Sequence, residues 1–220
     1  MAGFGYNRDD LFRGTVNGKS FRYEEDEEDT PPAKEPEGDP LMLKFIKTRQ
    51  ILLSGEINKP MAERIIRQLL VMEADNDKPI QVFIDSPGGD ADAGYAIVDM
   101  FRFISAPVFT IGMGLIASAG ALILLGAPKE RRLGLPDSRY LIHQPLSGIK
   151  GVATEIEIHA RELENMRAKI NRFISAETGK PLEQVQKDTD RDYWLGAEEA
   201  REYGLISKVI SRRDELKKLL

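Results

Sequence analysis

The chain has 220 residues, 41% hydrophobic and 30% charged, with a formal net charge of −5, which is enough material for one domain with its own core. The absence of cysteine excludes disulfides and thiolate metal ligands, and two histidines leave little material for a metal site, although carboxylates alone could bind magnesium or calcium. No apolar run reaches the roughly 18 residues of a membrane span, and the first residues lack a basic segment followed by an apolar one, so a cytoplasmic protein without membrane contact is expected.

Charge is concentrated near the N-terminus. Residues 24–40 carry nine acidic side chains against Lys34 alone and include Pro31, Pro32 and Pro36. So little apolar surface cannot offset the entropy of ordering, and residues 1–40 are predicted to be an extension, disordered in its acidic part, ahead of a domain over 41–220. Phe4, Tyr6, Leu11, Phe12, Phe21 and Tyr23 make the stretch before it unusually aromatic for a tail. The domain itself is nearly neutral, so no basic surface for nucleic acid is expected.

From residue 41, apolar segments alternate with amphipathic ones. Residues 50–53 predict a strand and 61–72 a helix with Ile65, Ile66, Leu69 and Leu70 on one face. A strand over 80–85 is closed by Ser86-Pro87-Gly88-Gly89; a helix over 93–104, a strand over 108–113 and a helix over 119–125 follow. Residues 140–142 predict a short strand. Residues 154–176 predict a long helix whose seam, Ile156, Leu163, Met166, Ile170 and Phe173, is spaced for packing on another helix. This rhythm predicts an α/β fold with a largely parallel sheet, with chemistry at the carboxyl ends of its strands.

Ser118 stands among Gly114, Ala117, Ala119 and Gly120, directly before an apolar helix. Free N–H groups at such a position favour a developing negative charge, although an ordinary helix cap would use the same residue. Two glycine-rich elements each follow a predicted strand, Pro87-Gly88-Gly89 and Gly112-Met113-Gly114. The amides of Gly89 and Ala119 would form an oxyanion hole. A serine needs a base, and histidine suits neutral pH. His159 lies within the charged helix, where a solvated or pairing role is expected; His143 ends a strand before Gln144-Pro145, where its ring can project over a cleft. Asp188, Asp190 and Asp192 are all of the class that could orient the imidazole, and spacing does not choose among them.

The residues Ser86-Pro87-Gly88-Gly89, Gly114 to Ala121, Leu135-Pro136-Asp137-Ser138-Arg139, Ile142-His143-Gln144-Pro145, Asp190-Arg191-Asp192 and Glu199 to Ile206 resemble the proteolytic subunit of the Clp protease (ClpP) over about residues 44–210. The resemblance implies the ClpP/crotonase-like fold of repeated β-β-α units with a long handle helix. It further implies a serine endopeptidase with Ser118 as nucleophile, His143 as base and Asp192 as orienting carboxylate. Gly89 and Ala119 would form the oxyanion hole; a strand after Gly89, including Asp90 and Ala91, together with Pro145, Leu146 and Ser147, would hold the substrate peptide. The implied partners are copies of the same chain in two stacked seven-membered rings, an AAA+ Clp-type ATPase and unfolded polypeptides. No cofactor is expected in this chain, because ATP is used by the partner unfoldase.

Three features depart from the family pattern. Ala119 stands where methionine usually follows the nucleophile, and the acidic segment replaces the apolar N-terminal loops; Gln81 also occupies a strand position where the family often has an aromatic docking residue. A catalytically weak structural subunit of a mixed ring would use the same fold, and a crotonase-like acyl-CoA enzyme would share it without needing the Ser/His/Asp set.

Overall fold

The computed structural model describes residues 13–16, 19–22 and 40–220. The chain divides into two compact units, Met1–Gly38 and Asp39–Leu220. In the first, β1 (Arg13–Val16) and β2 (Lys19–Arg22) pair antiparallel, with Arg13 opposite Arg22 and Val16 opposite Lys19. The acidic segment expected to be disordered lies outside the described residues.

The second unit contains, in order, α1 (Pro40–Lys47), β3 (Gln50–Ser54), α2 (Lys59–Asp75), β4 (Ile80–Ser86), α3 (Ala91–Phe103), β5 (Val108–Ala117), α4 (Ala119–Leu125) and a 3-10 turn (Lys129–Arg131). Then come β6 (Arg132–Gly134), β7 (Arg139–Ile142), α5 (Ala153–Thr178), α6 (Leu182–Asp188), β8 (Tyr193–Gly196), α7 (Ala197–Tyr203), β9 (Lys208–Val209) and α8 (Arg213–Lys217). The sheet runs β3-β4-β5-β6-β9, with β7 pairing β5 and β8; every pairing is parallel except β7 with β8. Ile80, Val82 and Ile84, which share one face of β4, and Ile111 and Ile116 of β5 are fully buried, whereas Phe83 and Asp85 on the opposite face of β4 are only partly so.

Local chemistry accounts for several boundaries. Helix α2 starts earlier than its apolar pattern suggests, because Asn58 accepts the Met61 N–H at 2.9 Å and Pro60 suits the first turn. Strand β5 runs beyond the expected residue 113 to Ala117, so Gly112-Met113-Gly114 lies inside a strand rather than in a turn after one. The physical reason is a change of partner: Thr110–Gly112 pair with β6, whereas Leu115–Ala117 pair with β7. At the changeover Gly114 has φ +60°, and Asp85 of β4 accepts the Leu115 N–H at 3.0 Å. A Cβ on Gly114 would lie 2.8 Å from that carboxylate.

Helix α5 is buried in its second half only. Ile170, Asn171, Ile174 and Thr178 are buried, whereas Ile156 and Ile158 in the first half are exposed. Its C-terminal turn is tied to β6 by Arg132, which is fully buried, donates to the Ala127 carbonyl at 2.6 Å and the Glu177 carbonyl at 2.9 Å, and pairs with the Glu177 carboxylate.

Candidate active site

Ser118 occupies the single residue between β5 and α4 and adopts φ 53°, ψ −121°, a region that L-residues rarely enter. Its N–H donates to the Leu141 carbonyl of β7 at 2.9 Å, and its own carbonyl accepts from Ala121 and Leu122 at 3.0 and 3.3 Å. The side chain makes no capping hydrogen bond. The backbone is thus held from both sides while the hydroxyl has no hydrogen-bond partner among the described residues, which separates this serine from an ordinary cap. The N–H groups of Ala119 and Gly120 open the helix, where no intrahelical carbonyl is available to them.

Facing this turn is the segment after β4. Ser86 Oγ donates to the Gly55 carbonyl at 2.6 Å and accepts the Gly88 N–H at 3.1 Å. Ile57 N–H donates to the Gly88 carbonyl and Asp90 N–H to the Ile57 carbonyl, both at 2.8 Å. The Gly89 N–H between them has no acceptor among the described residues. Gly89 has φ +142°, and a Cβ on it would run into the Ile57 backbone, so only glycine fits. The expected strand after Gly89 is absent: Asp90 accepts the N–H groups of Asp92 and Ala93 at 2.8 and 3.2 Å and thereby starts α3 at Ala91. Capping geometry at Asp90 turns the chain into a helix one residue past the glycines.

A cavity of about 550 Å³ brings these parts together. Gly89, Ser118, Ala119 and His143 line it, with Leu122, Ile142, Ile170 and Ile174 as apolar wall. Asp90, Ala91, Pro145 and Leu146 also border it; Ser147 does not, and its hydroxyl instead meets His159 Nε2 at 2.8 Å. Ile170, which the sequence pattern places in a helix-packing seam, is here a wall residue together with Ile174. They are one turn apart on α5, so they share a face, but which face fronts the cavity is a tertiary property.

His143 reaches its partner through sheet register. The antiparallel β7–β8 ladder ends with Ile142 opposite Tyr193, and one pair further along puts His143 opposite Asp192. Such cross-strand neighbours lie close enough for side chains to bond. His143 Nδ1 is 3.0 Å from Asp192 Oδ1. The imidazole is largely covered, its side chain 14% exposed, whereas the carboxylate is 61% exposed. No hydrogen bond joins Ser118 Oγ to His143, although both line the same cavity.

The other two carboxylates left open by spacing are engaged elsewhere. Asp188 accepts from the Tyr203 hydroxyl at 2.9 Å and from Gln184 at 2.6 Å, and Asp190 pairs with Arg167 of α5 at 2.9 Å. Asp85, which supports the partner change of β5 at Gly114, and Ser86, which shapes the glycine turn, were visible only as a carboxylate and a serine at the end of an apolar strand. Tyr140 is wedged between Gly112 and Gly134, where a Cβ would collide with its hydroxyl; burial pushes that phenol up to about 12, and Ser138 Oγ donates to it at 2.9 Å. Among the described residues no cluster of His, Asp or Glu could hold a metal ion, and no helix is long and apolar enough to cross a membrane.

A mostly parallel α/β sheet that brings a serine hydroxyl with no partner among the described residues, spare backbone amides and an aspartate-bonded histidine to the border of one apolar cleft has the parts of a serine hydrolase. The family model described as Clp protease matches residues 34–213. The chain is 66% identical over 179 residues to the ATP-dependent Clp protease proteolytic subunit 2 of Treponema denticola, covering 81% of this chain and 90% of that protein. It is 49% identical over 176 residues to the corresponding subunit 2 of Borreliella burgdorferi, covering 80% and 89%. Among solved structures, a ClpP1 point mutant from Listeria monocytogenes superposes with a TM-score of 0.75 at 47% identity, covering 80% of this chain and 99% of that one. The chain belongs to the Clp protease family, a family of serine peptidases.

Proposed function

We propose that this chain is the proteolytic subunit of an ATP-dependent protease, a serine endopeptidase in which Ser118 is the nucleophile, His143 the general base and Asp192 the carboxylate that orients it. The observation carrying this reading is the His143–Asp192 contact at 3.0 Å beside a serine whose hydroxyl has no partner among the described residues and whose backbone is strained. With Asp192 on Nδ1, the imidazole presents Nε2 as acceptor for the Ser118 proton. Approach to about 2.6–3.2 Å is required at that step, and such contacts commonly tighten only once substrate is bound. Attack on the scissile carbonyl gives a tetrahedral oxyanion that the Gly89 and Ala119 N–H groups receive. His143 then protonates the leaving amine, and a water that it deprotonates releases the acyl group from Ser118.

The apolar wall accepts one large apolar side chain of the substrate, and Pro145 and Leu146 border the peptide's path. The exposed first half of α5, with Ile156 and Ile158, supplies apolar surface for a second copy of the chain, in keeping with two stacked seven-membered rings that enclose the cleavage sites. Unfolded polypeptides would be fed in by an AAA+ ATPase, which uses the ATP; this chain needs no cofactor, and the cytoplasm is the compartment proposed. The test is Ser118→Ala: hydrolysis of a short fluorogenic peptide and labelling by a serine-directed phosphonate are both lost, while native mass spectrometry returns the wild-type assembly. Undiminished hydrolysis by that variant would sink the assignment.

A further inference from the structure

Gln144 follows the histidine, and its two amide groups both reach across to the segment that carries Asp192. Its backbone N–H donates to the Thr189 carbonyl at 2.6 Å, and its side-chain Nε2 donates to the Asp190 carbonyl at 2.5 Å. Continued in strict register the β7–β8 ladder would put Gln144 opposite Arg191, but the ladder ends at the Ile142–Tyr193 pair. Pro145 next in the chain has no N–H to offer a ladder and holds Gln144 extended. Gln144 therefore gathers two successive carbonyls where regular pairing has ended.

The segment beyond needs such a fastening. Arg191 and Asp192 are exposed, so packing does little to hold the carboxylate against His143. Upstream, the segment is tied to α5: Thr189 Oγ1 donates to Asn171 Oδ1 at 2.8 Å, and Asp190 pairs with Arg167 at 2.9 Å. Those contacts fix the segment relative to the helix. Among the described residues, the Gln144 contacts fix it relative to the residue adjoining the histidine.

We infer that Gln144 is a positioning residue of the hydrolytic site, keeping the Asp192 carboxylate in register with His143 Nδ1 through its side-chain bond to the Asp190 carbonyl. This rests on the catalytic reading of Ser118, His143 and Asp192 given above. Gln144→Leu keeps side-chain bulk and the backbone bond but deletes the amide donor. Loss of one hydrogen bond at this point lowers turnover by about tenfold, with KM unchanged because Gln144 does not line the substrate cavity.

The experiment compares the full-length assembled protein as wild type, Gln144→Leu, Asp192→Asn and the double variant, measuring kcat and KM on a fluorogenic peptide and the rate of phosphonate labelling. Expected are a roughly tenfold lower kcat and labelling rate for Gln144→Leu at constant KM, and a double variant no slower than Asp192→Asn. An unaffected Gln144→Leu beside a silenced Asp192→Asn overturns this inference alone. A double variant about tenfold slower than Asp192→Asn also overturns it, since Gln144 would then act on the fold and not through the carboxylate. Full activity of Asp192→Asn removes the catalytic reading and this inference together.

Discussion

Gly88 lies directly behind Ser118: a Cβ on Gly88 would sit 2.6 Å from Ser118 Cβ and 2.9 Å from the Ala117 carbonyl. The strained serine turn and the glycine turn with φ +97° at Gly88 are therefore a matched pair, each occupying the space that the other leaves. Gly88→Ala adds a side chain where backbone must move to admit it. The expected outcome is a loss of about 1–3 kcal/mol in stability from the forced backbone conformation, with phosphonate labelling at Ser118 slowed at least tenfold. Chemical denaturation together with labelling kinetics checks both, and a fully labelled, equally stable variant would contradict the pairing of the two turns.

Arg132 and Glu177 predict a different kind of loss, one of stability without chemistry. Burial lowers the Arg132 guanidinium from its ordinary value, and the Glu177 carboxylate opposes that shift. The same carboxylate also accepts from Arg102 at 2.7 Å. Glu177→Ala strands a buried cation, at a cost of about 3–5 kcal/mol, whereas Arg132→Met removes charge and desolvation together and costs less. At fixed protein concentration the melting temperature should fall by about 10 °C or more for Glu177→Ala. A larger fall for Arg132→Met than for Glu177→Ala would show that the guanidinium, not the stranded charge, matters.

Acid should loosen the C-terminus before the rest of the domain. Glu215 accepts the N–H groups of Ser211 and Arg212, both at 3.0 Å, and these bonds hold its carboxyl below the usual carboxylate range. A depressed value in the folded chain means that the stabilisation is present above the unfolded value, about 4.3, and is lost as pH falls through the folded one. Helix α8 carries Leu216 into a small core with Phe109, Ile111, Leu133 and Ile210. Hydrogen exchange in α8, corrected for intrinsic rates, should quicken below about pH 4, and Glu215→Gln should show faster exchange at neutral pH without that acid step. Equal protection at both pH values in the wild type would count against it.

Much of the architecture was legible because it is encoded locally. Apolar runs at 80–85 and 108–113 mark strands, and the periodicity over 61–72 and 154–176 marks helices; helix α4 spans the expected residues 119–125. Short elements escaped notice: β6, β9, α6 and α8 have two to seven residues each, too few to show a period. The glycines at 112 and 114 misled for a related reason. Glycine signals a turn in the absence of context, but here it admits Tyr140 and Asp85 to a continuous strand.

The linear order of residues determined which side chains were available for chemistry: one serine before an apolar helix, one histidine before a proline, three nearby aspartates and a pair of glycines after a strand. Tertiary structure decided which of them meet. Asp192 rather than Asp188 or Asp190 faces His143 because the β7–β8 register says so, and the Ser118 side chain makes no capping bond, its backbone pinned by Leu141 and backed by Gly88 in a conformation unlike an ordinary cap. Register between segments some fifty residues apart depends on the packing of the whole sheet, whereas periodicity is written within a single turn or strand.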